Sequence, residues 1–393
     1  MNVILFDDPL IRTALLPLTF TRPVSKIRVG ILTIDEKWKH WLKTEVSFKT
    51  IDYLEKKFPS KSTGDNILIN GALCPDQQLV DTIQALPAHY FLVKDNVLLA
   101  ARQPEGEMNE RNVIAYDHDV TLINKPWKIF LSNANQIKID FKRITEGRRS
   151  APITDPHTIV YNAEQVFVEE GVYIRAAILN AETGPIYLGK NSIVQEGAII
   201  RGSFALGEGA HINMGAKLRG DTSVGPYSKV GGEVSNSVIM GYSNKAHDGY
   251  LGNSVLGEWC NLGADTNTSN LKNNYDQPRL WSHALNDFEK TGLQFCGLIM
   301  GDHSKCGINT MFNTASVVDV GANIYGAGYP DRHVPSFAWG SSAAWQTYDL
   351  QKMLETAERA MARRNVTLTP IDKDILSHIF DLTTSHRVWT NKT

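Results

Sequence analysis

The chain has 393 residues, 42% hydrophobic and 21% charged, the balance of a folded protein rather than a disordered one. Forty Lys and Arg against 42 Asp and Glu leave a net charge of −2, so no broad basic field invites nucleic acid as a partner. No apolar run approaches the ~18–20 residues of a membrane span, and the length exceeds one ordinary core, so a multidomain chain with no membrane partner is expected.

Met1–Phe6 is apolar but short, has no basic stretch and runs into Asp7 and Asp8, which reads as a first β-strand rather than a signal peptide. Asn2–Phe6, Asn66–Asn70 and His89–Val93 are predicted as buried strands, and Asp35–Trp41 and Asp76–Leu86 as helices. Strands alternating with helices predict an α/β domain over residues 1–150. Pro126–Phe141 reads as a helix with Pro126 in its first turn, leading out of that domain through the polar linker Gly147–Pro152. Cys74, Cys260, Cys296 and Cys306 are scattered, with no CxxC. That predicts a reduced, cytoplasmic chain without a disulfide framework or a structural zinc. No two histidines stand at the close spacing of a zinc site, so the identity of any metal site is left unknown.

Residues 151–335 carry an internal repeat. Leu188, Val194, Ile200, Leu206, Ile212, Leu218, Val224 and Val230 recur every six residues, and Gly follows four of them. The period returns at Leu256 and Leu262, and again at Met300, Cys306, Phe312, Val318 and Ile324. Six is neither a helical nor a simple strand period. It fits a three-sided coil of about 18 residues with one aliphatic side chain pointing inward per side, the hexapeptide signature of a left-handed parallel β-helix. Glu233–Gly249 and Asn267–Gly292 break the period and are predicted as loops that carry function. In residues 336–393, Ser341–Asn365 and Asp372–Leu382 are predicted as C-terminal helices that cap the open solenoid end or meet a neighbouring subunit.

The densest polar cluster lies at these interruptions and includes Glu233, Lys245, His247, Tyr250, Asn270 and Lys272. A neutral imidazole at His247 can accept a proton from an attacking amine near pH 7, Glu233 could fix its tautomer and Asn270 could hold the acceptor. A solvated loop histidine is the plainer reading of the same residue. Near the N-terminus Arg12, Arg22 and Lys26 could clamp phosphates after the first strand, although Pro9, Leu10 and Ile11 stand where a glycine loop would cradle them. Surface bases on a structural loop account for them equally well.

The run 241–252 (GYSNKAHDGYLG) followed by 262–270 (LGADTNTSN) resembles the acetyltransferase half of the bifunctional N-acetylglucosamine-1-phosphate uridyltransferase/glucosamine-1-phosphate acetyltransferases and their archaeal sugar-1-phosphate relatives. The resemblance covers roughly residues 186–330. It implies that His247 is the general base, with Tyr250 toward the substrate, Asn270 at substrate and acetyl-CoA, and Ala264 at the CoA site; Lys245 and Lys272 of the polar cluster are expected to bind the substrate as well. A glutamate of that family falls on Glu233. Ala246, Asp265 and Ile308 depart from the pattern. Residues 16–23 (LPLTFTRP) and 67–86 are similar to segments of sugar nucleotidyltransferases, which implies a shortened nucleotidyltransferase-like domain using Mg²⁺. There Val24 and Ala72 replace the expected lysine and metal-binding aspartate, so nucleotidyl transfer would need Asp7, Asp8 or Asp76 as a substitute.

Acetyl transfer from acetyl-CoA to an amino sugar phosphate, in a homotrimer with donors between subunits, is the preferred expectation. A sugar-1-phosphate nucleotidyltransferase making a nucleotide sugar is the first alternative. A non-catalytic sugar-nucleotide-binding or assembly protein is the second.

Overall fold

The computed structural model describes residues 2–104 and 112–391. The N-terminal body is built on a six-stranded mixed sheet. Asn2–Phe6 lies parallel to both Val46–Lys49 and Asp65–Asn70, and Val97–Pro104 runs antiparallel to Asp65–Asn70 and Tyr90–Lys94. Val3, Leu5, Ile67 and Ile69 pair in register on one face of the sheet and are fully enclosed. Ile34–Leu42 begins in a Thr33/Glu36 capping box, and Asp76 caps Gln77–Gln84, so both predicted helices start at their sequence signals.

The predicted exit helix spans Pro126–Thr145 with Pro126 in its first turn. Its Asp140 carboxylate, inside the protein, accepts from the buried Lys37 ammonium at 2.5 and 2.6 Å and from the amides of Ile31 and Leu32. Gly30 makes this approach possible. Its φ is +89°, and a Cβ there would stand 2.5 Å from the Asp140 carboxylate.

The repeat folds as a parallel β-helix of three sheets with nine, ten and six strands, the third continued by a separate strand pair. Leu188, Leu206, Val224, Ile239, Leu256, Met300, Val318 and Val334 stack in register as one inward column. Every hexad residue is buried. The nine-stranded sheet is apolar on its outer side as well. Val238, Val255, Ile299 and Val317 join the core of the N-terminal body, and the exit helix packs across the same strands.

Three expectations are corrected. Glu233–Gly249 is not a loop. Its strands Glu233–Ser235, Val238–Gly241 and Asn244–Lys245 continue the three sheets. Val224 pairs with Ile239 and Lys229 with Asn244, fifteen positions on in each case, so the coil is shortened and the six-residue frame slips without the solenoid stopping.

The second interruption does leave the solenoid. It forms the hairpin Arg279–Ser282/Asp287–Lys290, whose Leu280 enters the core of the N-terminal body while Glu289 pairs with Lys125.

Ser341–Asn365 is also not one helix. Ala344–Thr347 folds back antiparallel on Ala338–Ser341 at the end of the ten-stranded sheet, and only Leu350–Ala362 is helical. Trp345 and Tyr348 therefore lie outside the helix. That helix and Pro370–Leu382 do not cap the solenoid end. They lie along its flank, against Trp259, Val320 and Phe337 and against Phe20 and Leu54 of the N-terminal body.

Candidate functional site

One corner of the prism carries Tyr227, Tyr242, Trp259 and His303 on successive coils, all with positive φ between 54° and 62°. Bulky side chains seldom take this conformation. Here their rings stack on one another, at 5.4, 4.3 and 6.3 Å between centroids and within 18° of parallel. At the next corner residue, Gly321, a Cβ would meet Met353 of the flanking helix at 2.8 Å, so the ladder ends where the helix closes in.

Tyr242 and Trp259 form a wall between two cavities. The first, about 680 Å³, lies between the ten-stranded sheet and the helix Leu350–Ala362, and His247 and Ala264 both line it. So do Lys229, Lys305, Arg359, Arg363 and Arg364, while no carboxylate does. Arg364 is anchored to the sheet, donating to the Asn244 side chain at 3.1 Å and the Tyr227 carbonyl at 3.3 Å. Lys305 donates to the carbonyl of His303 at 3.1 Å, and burial pushes its pKa down. A cavity of this size with five cations suits a ligand carrying several anionic groups. The sequence reading missed these cations, although Arg359 and Arg363 stand four residues apart at the end of a predicted helix, with Arg364 next to them.

His247 is exposed at the corner before the strand Tyr250–Gly252. Glu233 does not reach it. Its carboxylate pairs with Arg219 at 3.1 Å, and its backbone lies opposite Tyr250. Tyr250 and Asn270 do meet. The Asn270 amide donates to the Tyr250 hydroxyl at 3.0 Å and to the Asn253 side chain at 2.8 Å, on the third sheet and outside the set that lines the His247 cavity. Lys245 points into the prism, in register with Val230, and is 2% exposed. Lys272 pairs with Asp276 at 3.0 Å within the insertion, away from the cavity.

The N-terminal candidates divide in the same way. Arg12 is buried, donating to the Thr19 carbonyl at 2.6 Å and the Tyr53 hydroxyl at 2.9 Å. Arg22 and Lys26 line the second cavity, about 480 Å³, beside Arg28, Lys57 and His303. Arg22 is itself held by Asp302, with Glu258 at 3.5 Å, and Lys26 by Asp35 at 2.7 Å. Burial, and then the Lys305 ammonium, depress the His303 imidazole to about 3, so this ring stays neutral.

The aspartates that would have to hold Mg²⁺ do not fit that task. Asp7 accepts from the Val24 amide and the Thr50 hydroxyl, and Asp8 and Asp76 are helix caps. Among the described residues, the group of His, Cys, Asp and Glu whose ligand atoms lie close enough together to hold a metal ion is elsewhere, at His283, Asp319 and His333. Two histidines distant in sequence thus meet on one aspartate, which sequence spacing does not show.

All four cysteines are free and buried. No helix among the described residues is long and apolar enough to cross a membrane.

Residues 3–149 match the family described as "Sugar nucleotidyl transferase". The "Bifunctional protein GlmU" of Methanococcus aeolicus is 34% identical over 114 residues, 29% of this chain and 26% of that protein. The "Bifunctional sugar-1-phosphate nucleotidylyltransferase/acetyltransferase" of Sulfurisphaera tokodaii is 25% identical over 272 residues, 66% of this chain and 61% of that protein. The chain thus spans between about a quarter and three fifths of the length of these two relatives. Among solved structures, the UDP-N-acetylglucosamine acyltransferase of Arabidopsis matches with 15% identity, over 61% of this chain and 84% of that one, at a TM-score of 0.25. The N-terminal region therefore matches the sugar nucleotidyl transferases, and the chain is similar, over part of its length, to bifunctional transferases that combine nucleotidylyl and acetyl transfer.

Proposed function

We propose that this chain transfers an acyl group from a CoA thioester to the amine of an amino sugar phosphate, with His247 as general base. The observation that carries the reading is the exposed His247 imidazole at a cavity lined by five cations and no carboxylate. The phosphates of CoA are the kind of polyanion such a lining would hold. In the reaction the acceptor amine attacks the thioester carbon and His247 Nε2 or Nδ1 takes its proton. Collapse of the tetrahedral intermediate breaks the C–S bond, and the departing thiolate of CoA receives the proton back.

Tyr250 and Asn270, already bonded to each other, are read as the acceptor side. Glu233 is read as the partner of Arg219 and not of the base. The uncovered third sheet, where Ile159, Tyr161 and Ile199 are about half exposed, supports a homotrimer in which a neighbouring subunit brings acceptor and donor sides together. Thiol release from acetyl-CoA, followed with a panel of amino sugar phosphates, tests the reaction. A chain that binds acetyl-CoA yet acylates none of them overturns it. Sedimentation as a monomer at micromolar concentration overturns the trimer.

A further inference from the structure

Where the solenoid meets the insertion hairpin and the C-terminal segment, three histidines surround one buried carboxylate. Asp319 follows the strand Val317–Val318, is fully enclosed, and is fixed by its amide donating to the Val334 carbonyl at 2.9 Å. His333 lies on the neighbouring strand, with its Nε2 3.1 Å from one carboxylate oxygen. His283 comes from the hairpin turn, with its Nε2 3.0 Å from the other oxygen. These three ligand atoms lie within 4.8 Å of one another. His386, from the C-terminal turn Thr384–His386, brings a third imidazole, 5.6 Å from the His283 ring and 6.3 Å from the His333 ring. Its Nδ1 is buried with no hydrogen-bond partner.

We propose that His283, His333 and Asp319 bind one divalent transition-metal ion, zinc by preference, with His386 as the fourth ligand. Four ligand atoms at ~2.0–2.1 Å around a tetrahedral ion stand ~3.3 Å apart, and imidazoles bound through ring nitrogens then have centroids ~5 Å apart. The contacts of 3.0 and 3.1 Å and the His283–His333 centroid separation of 5.5 Å are close to that geometry without rearrangement. His386 would move in from beside this group to complete the set. Three nitrogens and one oxygen select zinc, cobalt or iron rather than magnesium or calcium, which take oxygen ligands. Trp281 stacks flat on His333 at 4.2 Å and Phe20 meets His283 edge-on, so the site is walled by aromatic rings. Its role would be a clamp. The four ligands come from the solenoid, the insertion and the C-terminal segment, and one ion would fix all three together.

The test uses the full chain, stripped with chelator and titrated with Co²⁺ and then Zn²⁺. The expected result is one ion per chain, a Co²⁺ visible spectrum of tetrahedral intensity that Zn²⁺ displaces, and a melting temperature raised by either metal. His283→Gln should weaken binding by more than the ~10–100-fold that loss of an outer partner costs, and His386→Gln should shift the Co²⁺ spectrum. Failure of the wild-type chain to bind either metal stoichiometrically overturns the site. Unchanged binding in His283→Gln does the same, and an unchanged spectrum in His386→Gln overturns the fourth ligand.

Discussion

The Lys245 ammonium, inside the β-helix, donates at 2.7 Å to the backbone carbonyl of His247, two residues along the chain. A cation thus occupies a place in the inward column where Val230 precedes it. It satisfies itself on the corner that carries the proposed base. Lys305 repeats the pattern on the carbonyl of His303. Each lysine thus holds the backbone of a corner histidine two residues away, Lys245 from inside the prism and Lys305 from the cavity wall.

Burial, only partly offset by Asp248 and Asp265, pushes Lys245 down to about 8 from 10.5. Between those values the folded chain binds fewer protons than the unfolded one, so stability should rise with pH from about 8 to 10.5 and fall as pH drops through 8. Over the whole window the effect is of order 3 kcal/mol. Lys245→Met, measured by urea denaturation at pH 7.5 and 10, should reduce the rise and leave the part that the buried Lys305 contributes in the same direction. An unchanged slope would show that Lys245 titrates as an exposed lysine.

Arg22 joins the two bodies. It is 4% exposed and reaches Asp302, whose carboxylate also accepts from the Thr21 hydroxyl at 2.6 Å and the Glu258 amide at 2.9 Å. Arg22→Met should strand a buried carboxylate and cost about 3–5 kcal/mol. Equilibrium unfolding checks the magnitude, and a loss below about 1 kcal/mol would mean that water reaches Asp302.

The hexad positions could be read from the sequence because each aliphatic residue obeys a local spacing that any coil of this size imposes. The shortened coil could not. Fifteen residues still close a turn when Val224 meets Ile239, yet the slip hides Lys245 in a frame where the period looks lost. The near-helical spacing of Trp345 and Tyr348 predicts helix over Ala344–Thr347, but pairing with Ala338–Ser341 covers a sheet edge and wins. His283, Asp319 and His333 come together only through the path of the hairpin and the pairing of Val317 with His333, which no local spacing encodes. His247 was legible from its motif. The cations around it come from two distant stretches of chain.

Those cations can be tested separately from the base. Arg359 and Arg363 lie on the helix side of the His247 cavity. Arg359→Glu/Arg363→Glu should raise KM for acetyl-CoA at least tenfold, about 1.4 kcal/mol, with kcat nearly unchanged, and the effect should shrink in high salt. Unchanged KM would place the donor elsewhere.

In the N-terminal body Asp7, Asp8 and Asp76 are committed to backbone and hydroxyl donors. Pyrophosphate release from UTP and N-acetylglucosamine 1-phosphate with Mg²⁺ should therefore be weak or absent. Robust turnover would show that other groups assemble a metal site when substrate binds.

His247 itself carries the sharpest expectation. An amine must lose a proton as its bond to the thioester carbon forms, and general-base assistance is typically worth ~10²–10⁴ in rate. His247→Ala should lower kcat by about that factor. KM for acetyl-CoA should change little, because Lys229, Lys305 and the helix arginines supply the proposed anion contacts. The side chain is exposed, and the corner is held through its backbone carbonyl by Lys245, a contact that alanine keeps. The variant should therefore retain its melting temperature and its oligomeric state. Unfolding would make the histidine structural. A folded variant with full acyl transfer to an identified acceptor would move the base to another residue and leave the cationic cavity as a binding site alone.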